Sequence, residues 1–75
     1  MNIQSIGESA GIIWNLLQSE SRKWDYQEIK QATGLSDRII NAAIGWLALE
    51  GKLSIEETKV GRRNVLYIEL NYYIG

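Results

Sequence analysis

The sequence predicts an α+β fold: three helices followed by a small antiparallel β-ribbon, in one domain spanning residues 1–75. Three observations carry this. A short helical segment, Tyr26–Thr33, a three-residue turn, Gly34-Leu35-Ser36, and a longer helical segment starting at Asp37 follow one another without a linker. In the last of these Ile40, Ala43, Ile44 and Leu47 recur at i, i+3, i+4 and i+7, the spacing of one buried helical stripe. After Gly51 the period changes to two. Leu53 and Ile55 alternate with Ser54 and Glu56, and Leu66, Ile68 and Leu70 repeat that pattern on a second strand.

The first helix begins near Gly7 or Glu8, where Ser5 or Gly7 caps it and Glu8 suits the positive end of the helix dipole. Its apolar stripe is Ile6, Ala10, Ile13 and Leu17, widened by Trp14 and Leu16, while Ile12 falls outside it. The polar run Ser19 to Lys23 ends the helix, and Lys23-Trp24 forms a short strand. Asp25 then caps the second helix, with Glu28 three residues on completing a capping box. That helix turns Ile29 and Ala32 inward and stops at Gly34, a natural left-handed cap. Leu35 plugs the core from the turn, and Ser36 caps the third helix. Gly51 closes it, with Lys52 at its negative end. Between the two strands Val60 to Asn64 makes a loop in which Gly61 and Asn64 tolerate positive φ. The three tryptophans belong to the core, Trp46 packing against the ribbon or the strand at Trp24.

Composition narrows the class of function. The chain has 75 residues, no cysteine and no histidine, which excludes a disulfide framework, a thiolate nucleophile and any ordinary zinc site. No apolar run is long enough to cross a membrane, and no signal-peptide pattern opens the sequence, so a cytoplasmic protein is expected. Neither a glycine-rich phosphate loop nor a nucleophile–base pair is present, and Glu56 and Glu57 point to opposite faces of a strand. An enzyme, a cofactor and a small-molecule ligand are therefore not expected.

Net charge is −1, too low for an indiscriminate nucleic-acid binder. Its distribution is uneven: Lys59, Arg62 and Arg63 concentrate on the ribbon loop.

The order helix, short strand, helix, turn, helix, ribbon resembles the winged helix-turn-helix fold. Ile6–Trp14 in the first helix and Ala43–Lys52 in the third resemble, more closely, a family of small bacterial winged helix-turn-helix proteins of unassigned role. The resemblance covers nearly the whole chain and implies duplex DNA binding and dimerisation; no catalytic residue carries over.

With the aliphatic stripe turned inward, the opposite face of the third helix shows Arg38, Asn41, Ala42 and Gly45, with Ser36 at its start. Arg and Asn suit bidentate readout of guanine and adenine edges in a major groove. Lys59, Arg62 and Arg63, with Asn64 beside them, are the candidate phosphate contacts of a wing, and Arg22, Lys23 and Lys30 are second-tier candidates. The same residues serve as well as a cap, solvated charges and surface amides. Ile12, Leu16, Tyr72, Tyr73 and Ile74 exceed what a core this small buries, and they mark a candidate homodimer surface. Two functions stay open: a DNA-binding transcriptional regulator or accessory factor, and a protein–protein interaction module on the same scaffold without DNA.

Overall fold

A computed structural model describes residues 1–71 of the chain. The elements run α1 (Ile3–Ser19), β1 (Trp24–Asp25), α2 (Tyr26–Thr33), α3 (Asp37–Leu49), β2 (Leu53–Val60) and β3 (Arg63–Leu70). The strands form one antiparallel sheet in the order β1-β3-β2. This is a winged helix: three helices, a three-stranded sheet, and a β2–β3 hairpin as the wing.

Local chemistry sets most of the boundaries. Asp25 accepts from the Glu28 N–H at 2.9 Å, and the Glu28 carboxylate accepts from the Asp25 N–H at 3.0 Å, so both halves of the α2 capping box form. Gly34 takes φ 69° and donates its N–H to the Lys30 carbonyl at 2.9 Å, ending α2 without Cβ strain. Ser36 caps α3 through Ile39, and Gly51 follows α3 at φ 74°.

Buried side chains form one cluster. Ala10, Ile13 and Leu17 of α1, Ile29 of α2, and Ile40, Ala43, Ile44 and Leu47 of α3 meet Trp24, Leu53, Ile68 and Leu70 of the sheet. Leu35 packs on this cluster from the turn, as expected. Trp24 also donates its indole N–H to the Glu20 carbonyl at 3.1 Å, tying the end of α1 to β1.

Several expectations need correction. The first helix starts a turn earlier than its apolar stripe indicates, because Asn2 caps it reciprocally with Ser5. The short strand is Trp24–Asp25, not Lys23–Trp24. Ala32 is exposed, since α2 meets the core through Ile29 alone among its buried residues. Ile55 shares a cross-strand row with Ile68 and Trp24, yet it is 44% exposed because β2 is the outer strand of the sheet. Trp46 is 39% exposed and lies outside the core cluster.

The wing loop is shorter than its residues suggest. Val60 pairs with Arg63 and Lys59 with Asn64, leaving only Gly61 and Arg62 as the turn. Gly61 has φ 64° and no non-glycine residue among the described residues has positive φ, the sign pattern of a type II′ hairpin. Asn64 therefore needs no left-handed conformation.

Candidate nucleic-acid interface

The third helix is held by its buried stripe, and this leaves Arg38, Asn41 and Gly45 exposed and Ala42 half-buried on the far side. Ser36 is exposed, but its hydroxyl accepts from the Ile39 N–H at 3.3 Å and so acts as the cap. A Cβ built on Gly45 meets nothing within 4 Å, so this surface is open to close approach. Leu49 continues the same face one turn beyond Gly45 and is 90% exposed.

The start of α3 is fixed by a polar cluster. The Tyr26 hydroxyl donates to Asp37 at 2.6 Å, and the Lys30 ammonium donates to the other oxygen of Asp37 at 3.1 Å. These two bonds, Tyr26 first, hold the Asp37 carboxyl below its ordinary pKa. Partial burial, and then the bond to the anionic Asp37, push the Tyr26 phenol up to about 12. Tyr26 is thereby kept neutral and a hydrogen-bond donor.

Cations divide into two groups. Arg22 forms ion pairs with Glu28 at 3.0 Å and Glu20 at 3.1 Å, and its guanidinium lies 3.8 Å from the Trp24 ring centroid. Lys23 pairs with Glu56 at 2.9 Å, which keeps that carboxyl low, and Lys30 pairs with Asp37. Lys52 lies over the Trp14 ring at 5.4 Å. The three second-tier candidates are thus each matched by a carboxylate. Among the described residues Arg38, Lys59, Arg62 and Arg63 are exposed and have no acidic partner within 4 Å.

One contact chain relates the wing to α3. A cleft of about 490 Å³ is lined by Tyr26 and Gln27 of α2 and by Arg63, Asn64, Val65 and Leu66 of β3. Because β1 ends at Asp25, it covers β3 only at Tyr67 and Ile68, and the cleft lies beside the uncovered part. Tyr26 touches both regions: its side lines the cleft, and its hydroxyl bonds Asp37 beside Arg38. The turn-side half of β3 and the start of α3 accordingly share one side of the molecule. Sequence reasoning missed Tyr26 and Gln27, because nothing local shows that β1 will stop opposite Tyr67, short of this stretch of β3. A smaller hollow of about 180 Å³ on the sheet, lined by Lys23, Ser54, Ile55, Glu56, Tyr67 and Glu69, has its one lysine already paired.

Two of the candidate dimer residues lie among the described residues. Ile12 is 49% exposed, whereas Leu16 is packed against the core. Tyr72, Tyr73 and Ile74 lie outside the described residues.

Comparison with known proteins agrees with this architecture. A curated relative, the uncharacterized protein MJ1608 of Methanocaldococcus jannaschii, is 39% identical over 51 residues, covering 67% of this chain and 73% of that protein. No solved structure matches the chain significantly. Residues 1–68 match the family described as Winged helix-turn-helix domain (DUF2582), and the chain belongs to that family.

Proposed function

We propose that this protein binds duplex DNA as a transcriptional regulator or accessory factor in the cytoplasm, and that it is a binding module with no catalytic role. Lys59, Arg62 and Arg63 contact phosphates through the wing, while Arg38 and Asn41 reach base edges from α3. One observation supports this above the others: ion pairs hold Arg22, Lys23 and Lys30 and Lys52 lies over Trp14, whereas the cations at the wing and the start of α3 have no acidic partner among the described residues. A net charge of −1 then counts for little, because the local field at the wing is what an approaching phosphate meets. Asn64 sits near the wing tip beside Arg63 and supplies an amide to the same backbone.

Amide shift mapping with a mixed-sequence duplex tests the proposal. The expected perturbations cluster at Ser36–Asn41 and Lys59–Asn64. Perturbations confined to α1, or none at low salt, would overturn it.

A second reading is favoured by Leu49. An aliphatic side chain that is 90% exposed at the end of a helix face meant for a polar groove fits a protein partner better than DNA. In this reading the scaffold is a self-associating interaction module.

A further inference from the structure

The outward face of α3 carries a pattern that the buried stripe does not explain. Arg38, Ala42, Gly45 and Leu49 follow at i, i+4, i+7 and i+11, the spacing of a straight seam where two helices pack together. Trp46 and Ile39 flank it on one side, Trp46 39% exposed and Ile39 half-buried. The two smallest residues lie at the middle of the seam, and within its own chain nothing approaches a Cβ added at Gly45. The ends are electrically unlike. Arg38, without an acidic partner among the described residues, opens the helix. Glu50, likewise outside every ion pair of the described residues, closes it, and no basic residue lies in the last turn.

We propose that a second copy of this chain packs on this face, α3 antiparallel to α3, about a two-fold axis beside Ala42 and Gly45. This rests on the second reading above and names its partner. Under that axis Ala42 meets Gly45 of the second copy, so the backbones approach closely. Leu49 is covered by the aliphatic stem of Arg38, and Trp46 falls against Ile39. Each Arg38 guanidinium comes to the negative end of the opposite α3, beside its Glu50. A helix of 13 residues is only about 20 Å long, so the pair is a small interface and its association depends on concentration.

The face is the same one that would enter a DNA groove, so pairing withdraws Arg38 from readout while leaving the wing free. Rising protein concentration then opposes base recognition, a form of self-regulation.

Sedimentation across the micromolar-to-millimolar range tests the pair, using exposed positions that do not threaten the fold. Arg38→Glu and Glu50→Arg should each weaken dimerisation about tenfold by setting like charges together, and the double variant should restore it. Gly45→Gln should abolish the dimer while raising the melting temperature, since a helix former replaces glycine in open space. A dimer unaffected by Gly45→Gln, or a charge swap that fails to restore, would place association on another face: the inference falls and the interaction reading stands. A wild-type chain that stays monomeric throughout would overturn both. Neither result bears on contact between the wing and DNA.

Discussion

Tyr26 shows how one side chain couples two helices and the wing. It occupies the first position of α2, lines the cleft against Arg63, and donates to Asp37 at the start of α3. Its phenol, raised to about 12 from an ordinary 10, favours the protonated form in the folded state. The stabilisation from this shift is therefore complete below pH 10 and is lost as pH rises from 10 toward 12. Alkaline absorbance titration of wild type against Tyr26→Phe should show one tyrosine ionising late, and the pH-linked loss of stability should disappear in the variant. An unshifted difference curve would contradict the assignment. The carboxyls follow the opposite sign. Asp37, Glu28 and Glu56 are all held below their ordinary values by donors, so their contribution is present near neutrality and fades as pH falls through the acid range. Removing the Tyr26 bond should cost about 1 kcal/mol in denaturant unfolding at pH 7.

At the scale of elements, the boundaries that sequence revealed are those written in local chemistry. Asp25 with Glu28, Gly34, Ser36 and Gly51 each act where their side chains or φ angles say they should. Asp25→Ala should therefore destabilise the protein by about 1 kcal/mol through loss of the cap, measured as a shift in the urea midpoint at constant slope. Boundaries set by contacts distant in the chain were less legible. The wing turn shrank to Gly61-Arg62 because cross-strand pairing extends to the tip, which no local signal at Arg63 or Asn64 reports. Ile55 has the alternation of a half-buried strand, but β2 lies at the sheet edge, and position in the sheet follows from topology. The start of α1 was hidden for a third reason: Asn2 with Ser5 supplies a capping box ahead of the apolar stripe.

For the whole molecule, the core was largely visible in the sequence. Ile13, Leu17, Ile29, Ile40, Ala43, Ile44, Leu47 and Ile68 are buried as their periodicity requires. Ile68 is central, fully buried on the middle strand, and Ile68→Ala should cost about 2–5 kcal/mol in thermal or denaturant unfolding. The candidate site was legible only in part. Residue type singled out Arg38, Lys59, Arg62 and Arg63, but only the ion pairs of Arg22, Lys23 and Lys30 separate the free cations from the spent ones. Lys23 to Glu56 joins residues far apart in the chain, and such pairing across a sheet cannot be read from spacing alone.

The most direct test of the central claim, that the three unpaired cations of the wing engage a phosphate backbone, is the salt dependence of duplex binding measured at protein concentrations kept low. Each phosphate contact contributes about −0.9 to the slope of log K against log salt, so the three wing cations predict a slope of about −2.7. Replacing Arg62 and Arg63 by alanine should flatten it by about 2 while the fold persists, since both side chains are exposed. A wild-type slope near zero, or one that the double replacement leaves unchanged, would contradict the assignment of the wing to DNA.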